Sequence, residues 1–156
     1  MKYYIINIKI TEEKRLIMTV ESFSYLPEDA LKIRIKVFVD EQGFIDEVDE
    51  IDSTATHLLL KDDNGSPIGT LRIFKGNAGD VFFIGRLCII KEFRGRGYGA
   101  LLLREAEKLV RSIDGKAISL HSQLQAKDFY EKSGYHQSGC LEYEQGQPHI
   151  WMKKEL

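Results

Sequence analysis

The sequence predicts an α+β domain, a central and mostly antiparallel mixed sheet flanked by helices and splayed where a glycine-rich corner begins. Three observations carry this. Strand-like runs rich in β-branched and aromatic residues follow one another through short clusters of turn formers. A strand, Val81 to Ile90, runs through a short charged turn into the corner Arg94-Gly95-Arg96-Gly97-Tyr98-Gly99. That corner opens directly into ALLLREAEKLVRSI, an apolar pattern of helical period.

Taken in order, residues 3–10 (YYIINIKI) and 16–20 (LIMTV) read as strands, and the charged TEEKR between them suits a hairpin turn. A helix starts near Pro27, with Glu28 and Asp29 in its first turn favouring the helix dipole. Leu31, Arg34, Ile35 and Phe38 recur at helical spacing, and Gly43 ends the helix. Residues 40–52, DEQGFIDEVDEID, hold seven acids and no basic residue. They read as a solvated loop, or as a rim that attracts a cation. Their spacing does not follow the D-x-D-x-D-G pattern of a calcium loop. Strands at Thr56–Lys61 and Ile68–Phe74 flank Asp62-Asp63-Asn64-Gly65-Ser66-Pro67, a turn that makes them a hairpin. Asn77-Ala78-Gly79-Asp80 is another turn and leads into the strand before the corner. Beyond the corner, Leu102, Ala106, Leu109, Val110 and Ile113 should face the core, and Asp114-Gly115 closes the helix. Ala117 to His121 follows as a short strand, Leu124 to Lys132 as a helix stopped by Gly134, and Tyr135 to Lys154 as a terminal hairpin.

At 156 residues, 43% hydrophobic and 29% charged, the chain suits one domain, 1–156, with a sizeable core. A net charge of −2 argues against nucleic acid as the main partner, since phosphate binding normally shows as a basic excess. No apolar run approaches the roughly 18 residues a membrane span needs. The start, MKYYIINIKITEEK, has no continuous apolar stretch or small-residue cleavage site and does not read as a signal peptide. Cys88 sits in an apolar strand far from Cys140, which suits a reduced buried thiol. The expected location is the cytoplasm.

The corner has the chemistry of an anion cradle. Its glycines let the backbone approach a ligand closely. The unpaired N–H groups of the following helix then point at the ligand, and Arg94 and Arg96 can pair with phosphate oxygens. A P-loop is excluded, because no Lys-Ser or Lys-Thr pair follows the glycines. Gly95, Gly97 and Ala100 satisfy G-x-G-x-x-A, but the next strand, AISLHSQ, lacks the acid a dinucleotide fold uses to hold ribose. The remaining chain is also too short for such a domain.

The third option is coenzyme A, and here the sequence resembles the GNAT N-acetyltransferase superfamily. Arg94, Gly97 and Gly99 match its R/Q-x-x-G-x-G/A segment after the strand LCII. Ala126, Phe129, Tyr130, Gly134 and Tyr135 match its A-x-x-F-Y-x-x-x-G-F/Y region. VFVDEQ at Val37–Gln42, THL at Thr56–Leu58 and PHIWM at Pro148–Met152 are similar to a group of small bacterial members. The resemblance covers residues 16–154 and implies the GNAT acyl-CoA N-acyltransferase fold.

It also implies acetyl transfer from acetyl-CoA directly to a primary amine through a tetrahedral intermediate, with no metal. The pyrophosphate would rest on Arg94, Gly95, Arg96, Gly97, Tyr98, Gly99 and Ala100. Pantetheine would pair with main chain near Leu87, Cys88 and Ile89, where an N–H would stabilise the oxyanion. Phe129 and Tyr130 would lie beside the thiol, with Tyr130 as general acid to the departing thiolate. Val81-Phe82-Phe83-Ile84 carries no strand glutamate or histidine to act as base. Glu41, His57, His121 and His149 are the candidates, and His149 is chosen because the terminal strand should approach the acyl site. Arg72 and Arg86 would receive an anionic group or form salt bridges. No His/Cys cluster has metal spacing, and no Ser-His-Asp arrangement is evident. The acceptor would be a small metabolite, an amino sugar or a peptide amine, with the acidic segment tilting towards a cation. Two alternatives stand: a non-catalytic acyl-CoA sensor, and a transferase of longer acyl groups, since VFVDEQ is similar to the N-terminal helix of homoserine-lactone synthases. Dimerisation is common in the family, so a homodimer stays open.

Overall fold

The computed structural model describes residues 6–10, 16–77 and 79–156, and their strands form one sheet. In chain order these are β1 (Ile6–Ile10), β2 (Leu16–Phe23), β3 (Thr56–Lys61), β4 (Pro67–Lys75), β5 (Val81–Ile89), β6 (Ala117–Gln123), β7 (His136–Glu144) and β8 (Gln147–Glu155). Their spatial order is β1-β2-β3-β4-β5-β6-β8-β7, antiparallel throughout except for the β5–β6 pair. The mixed, mostly antiparallel sheet expected from the short turns is therefore present. Residues 3–5, the TEEKR turn and Ala78 lie outside the described residues. Strand β6 runs two residues further than the sequence pattern suggested, because it pairs with β8 as far as Gln123 and His149. The β7–β8 turn is Gln145-Gly146, and both residues have positive φ, as a tight two-residue hairpin requires.

Alternation along the strands creates two faces. On one, Leu58, Leu60, Ile73, Phe82, Ile84, Leu120 and Met152 pack against helix α2 (Tyr98–Ser112) through Leu102, Leu103, Ala106 and Val110. Each fully buried aliphatic side chain there contributes about 1.5–3 kcal/mol. Ile113, expected in this stripe, is 52% exposed because the helix ends at that residue with non-helical dihedrals. On the other face, helix α1 (Glu28–Arg34) and the π-helical turn Ile35–Glu41 lay Ala30, Ile33 and Val37 on Leu59 and Cys88. Of the positions expected on this stripe Arg34 is buried, whereas Ile35 faces outwards and Ala30, Ile33 and Val37 supply the apolar contact instead. Helix α3 is shorter than expected: a 3₁₀ turn, Leu124–Ala126, precedes Lys127–Lys132.

The acidic segment is a solvated loop only in part: Asp40, Glu41, Asp46 and Glu50 are exposed, but Glu47, Asp49 and Asp52 turn inwards onto arginines. Arg34, 1% exposed, binds Glu47 at 2.5 Å and both oxygens of Asp52 at 2.7 and 2.9 Å. Arg72, also buried, grips Asp49 at 2.6 and 2.7 Å and reaches Asp52 at 2.8 Å. Arg86 approaches Glu47 at 3.2 Å and Asp49 at 3.3 Å. Three arginines from α1, β4 and β5 thus neutralise three of the segment's carboxylates and fix it to the sheet. Such buried charges are tolerated only because each is paired and hydrogen-bonded.

Burial opposes ionisation of Asp52, but the bonds from Arg34 and Arg72 outweigh it and hold its carboxyl well below the ordinary value. Removing one partner strands the others, so Asp52→Ala should lower unfolding free energy by about 3 kcal/mol or more, read as the urea midpoint. The folded state binds the Asp52 proton less readily than the unfolded chain. Its stabilisation is therefore complete above the unfolded value near 3.8 and fades as pH falls below it. That acid slope should be shallower in the variant.

Candidate active site

The cleft begins where the sheet comes apart. Strand β5 pairs with β6 only from Val81 with Ala117 to Ile84 with Leu120, while β6 continues along β8 to Gln123. On its other side β5 stays paired with β4 as far as Ile89. Between Thr70↔Cys88 and Arg72↔Gly85 two steps on β4 oppose three on β5, so β5 carries an extra residue. Arg86 there adopts φ 56°. A non-glycine residue at positive φ is strained, and the contacts of its guanidinium with Glu47 and Asp49 hold it in place. Past Ile84 one edge of β5 is left without a neighbouring strand. Ile90 N–H bonds back to Ile68 on β4, so strand alternation turns the main-chain groups of Leu87 and Ile89 the other way, towards the gap.

The gap widens into a cleft of about 890 Å³. Its donor half is lined by Leu87, Cys88, Ile89, Arg94, Gly95, Gly97, Tyr98, Gly99, Ala100, Phe129 and Tyr130. Of the residues assigned to the pyrophosphate and pantetheine, only Arg96 stands apart from the lining. Its guanidinium lies over the Phe93 ring at 5.5 Å. Gly95 and Gly97 have φ of 75° and 81°, and no heavy atom stands within 4 Å of where a Cβ would lie. Gly97 caps α2 without a side-chain bond, and the first helical bond runs from Leu101 N–H to its carbonyl. The N–H groups of Tyr98, Gly99 and Ala100 therefore have no acceptor within the helix. Arg94 bonds the Ile89 carbonyl at 2.8 Å and holds Glu41 in a two-point pair at 2.5 and 2.8 Å. Glu41 is thus tied to an arginine and not poised as a free base.

Tyr130 packs edge-on against Phe129 and Tyr135, and its hydroxyl has no hydrogen bond among the described residues. Burial pushes its phenol above the ordinary value, and burial likewise raises the Cys88 thiol. Cys88 is therefore an un-ionised packing residue and a poor nucleophile. His57 is buried away from the cleft, where Nε2 donates to the Asp52 carbonyl at 3.1 Å, and burial lowers its pKa. His121 and His149 both line the acceptor half of the cleft. His149 Nδ1 lies 2.9 Å from the Gln147 carbonyl, which only accepts, so Nδ1 carries the proton and the Nε2 lone pair is free. Glu144 Oε2 is 3.9 Å from that Nε2 and 3.4 Å from His121 Nδ1. The loop above this half is fastened from two directions. Gln123 donates to Gln42 at 2.8 Å, and the Gln145 amide clasps both main-chain groups of Ile45 at 2.9 Å.

A family model described as an acetyltransferase (GNAT) domain matches residues 27–156. The Bacillus subtilis protein YyaT is 36% identical over 133 residues, covering 82% of this chain and 88% of its own length. The chain belongs to the GNAT acetyltransferase family. Escherichia coli ElaA shares its fold at 26% identity and a TM-score of 0.77, with 90% of this chain and 99% of ElaA covered. An aminoglycoside 6′-N-acetyltransferase crystallised with coenzyme A shares the fold alone, at 18% identity and a TM-score of 0.69 over 87% of this chain and 96% of its own. This GNAT protein is therefore an enzyme, an acyl-CoA-dependent N-acyltransferase. No helix among its described residues is long and apolar enough to cross a membrane.

Several cleft residues escaped the sequence reading: Phe44, Phe74, Phe83, Glu144 and Trp151 all line the acceptor half. Their signal was period-two alternation, in which each strand aromatic sits beside a core aliphatic. The pattern marks a second face but does not say that the face is open.

Burial raises Tyr135 as well as Tyr130, and Glu107 beside Tyr135 adds to its shift. Tyr130 and Tyr135 should stay un-ionised when the pH passes the ordinary phenol value near 10. An absorbance titration of the wild type against Tyr130→Phe would show whether the late-ionising fraction shrinks by one residue.

Proposed function

We propose that the enzyme moves an acetyl group from acetyl-CoA to a primary amine, with Tyr130 as general acid and His149 as general base. One observation carries the reading: the unpaired edge of β5 ends at the glycine corner. An extended ligand can add to that edge as a strand while its anionic end meets the α2 N-terminus. The chain has the features that acetyl-CoA needs: open glycines at the corner, free N–H groups in the first turn of α2, and an unpartnered phenol beside the strand edge. When bound, acetyl-CoA supplies an activated thioester.

The protein's own residues do the rest. Leu87 N–H is positioned to donate to an oxygen that gains charge as the thioester carbonyl is attacked. An alkylammonium acceptor must first lose a proton, which costs about 4–5 kcal/mol at pH 7 for a pKa near 10.4. His149 Nε2 can take that proton, since Nδ1 is already committed to Gln147. Glu144 stands beside the resulting imidazolium and stabilises it. Tyr130 keeps its proton through the working range because burial disfavours phenolate, so it can deliver that proton to the leaving sulfur. The amine gains the acetyl group as the carbon–sulfur bond breaks, and coenzyme A leaves as the thiol.

Thiol release from acetyl-CoA with a panel of amines tests the whole reading; tight coenzyme A binding with turnover of no amine would instead mark a sensor. Tyr130→Phe should lower kcat by about 100-fold or more while sparing acetyl-CoA affinity, and unchanged turnover would remove it as the acid. His149→Gln should be slowest near neutral pH. Its deficit should close as the pH climbs towards the amine's own pKa, where free amine no longer needs a base; a deficit constant with pH would remove His149 from proton transfer.

A further inference from the structure

Seven rings run in contact along the acceptor half of the cleft. Phe38 meets Phe44 at 6.5 Å, Phe44 meets His149 at 6.5 Å, and His149 meets His121 at 4.9 Å. His121 stacks on Trp151 at 4.6 Å, Trp151 meets Phe83 edge-on at 6.1 Å, and Phe83 stacks on Phe74 at 5.4 Å. All seven line the cleft. Packing accounts for only part of the row: Phe38 rests on the α1 core, His149 is buried, and Phe83 and Trp151 each lay one side over a glycine, Gly76 and Gly139. Phe44, Phe74, Phe83 and Trp151 belong to neither hydrophobic core, and each stays partly exposed. Phe82, Leu120 and Met152, the strand neighbours of Phe83, His121 and Trp151, supply the core on the opposite face. The rings therefore form an aromatic wall facing an open cavity.

The charges on this wall are mostly spent. Three carboxylates line the cleft: Glu47, Asp49 and Glu144. Glu47 and Asp49 are bound to Arg34, Arg72 and Arg86. Arg72 already stands over Phe74, 5.7 Å from its centroid. Among the described residues, Glu144 alone of the three faces only histidines, His121 and His149. One carboxylate without a cationic partner suits one positive charge. A polyamine carries several charges, and the wall offers one carboxylate not bound to an arginine; an amino sugar needs polar partners, and the amides of Gln42, Gln123 and Gln145 beside the wall are already bonded to one another or to Ile45.

Resting on the acetyl-transfer reading above, we propose that the acceptor is an arylalkylamine: a singly charged primary amine on a flat aromatic body. Its ammonium is received by Glu144 beside His149, and its ring lies against Phe83 and Trp151. Flat π-faces stack with a ring more favourably than with a saturated chain of equal size, and ring faces also attract the cation.

Trp151 is the chain's single tryptophan and lies in the wall, so its fluorescence reports on this site directly. Phenethylamine, cyclohexylethylamine, butylamine and spermidine should be titrated into the protein, with and without coenzyme A. Phenethylamine should perturb the emission saturably at about tenfold lower concentration than the other three. Phe83→Leu and Glu144→Gln should each weaken phenethylamine severalfold while leaving coenzyme A affinity and melting temperature close to wild type. Equal binding of cyclohexylethylamine, or tighter binding of spermidine, overturns the proposal. So does emission that shifts with protein concentration alone, which would mean that a second copy covers the wall. Thiol release with the same amines separates the two readings. Ring-selective binding without turnover of any amine defeats acetyl transfer and spares the subsite, whereas turnover with no preference for the ring defeats the subsite and spares acetyl transfer.

Discussion

Arg86 holds a left-handed backbone conformation that costs a residue with a Cβ roughly 1–2 kcal/mol, and the site is arranged around that one constraint. The extra residue it adds to β5 shifts the register with β4 by one, and β5 and β6 part company within the same stretch. The conformation is held by the Arg86 guanidinium, which reaches Glu47 and Asp49 in the segment before β3. Those acids are in turn fixed by Arg34 and Arg72. A strained backbone, a break in the sheet and a buried ionic network thus form one mechanical unit. Loss of any of these arginines would leave a buried carboxylate of the unit short of its cationic partner.

The two halves of the cleft are built from different materials. The donor half presents main chain: the free edge of β5, glycines at positive φ, and the first turn of α2. The acceptor half presents side chains drawn from β4, β5, β6, β7, β8, the π-helical turn and the loop after it. Tyr130 enters from α3 at the seam between them. In the reaction proposed above, the thioester would be broken beside this phenol, which would then serve whatever amine the other half admits.

The part of this arrangement written in local sequence was legible. Turn formers between β-branched runs located the antiparallel strands, and the Arg94–Gly99 corner announced itself because glycines, arginines and a following helix are contiguous. What depended on distant pairing was not. Residues 40–52 look like unneutralised acid because their partners lie at positions 34, 72 and 86. The rings at 74, 83, 121, 149 and 151 become neighbours only through strand register, and Phe44 joins them from the loop after the π-helical turn. The α1 stripe was only partly legible: Ala30, Ile33 and Val37 keep ordinary helical spacing, but Ala30 is too weakly apolar to mark the face against Leu31 and Ile35. Ile113 was misjudged because periodicity continues past the residue where the helix stops.

The free edge of β5 has a consequence for how the protein can change over generations. Amide N–H and carbonyl groups are common to nearly every residue type, so substitutions at Leu87 or Ile89 alter packing but leave the hydrogen-bonding edge in being. The aromatic wall has no such insurance, because each ring is a side chain that one codon can remove. Inheritance can therefore redraw the acceptor face ring by ring while the donor track persists beneath it.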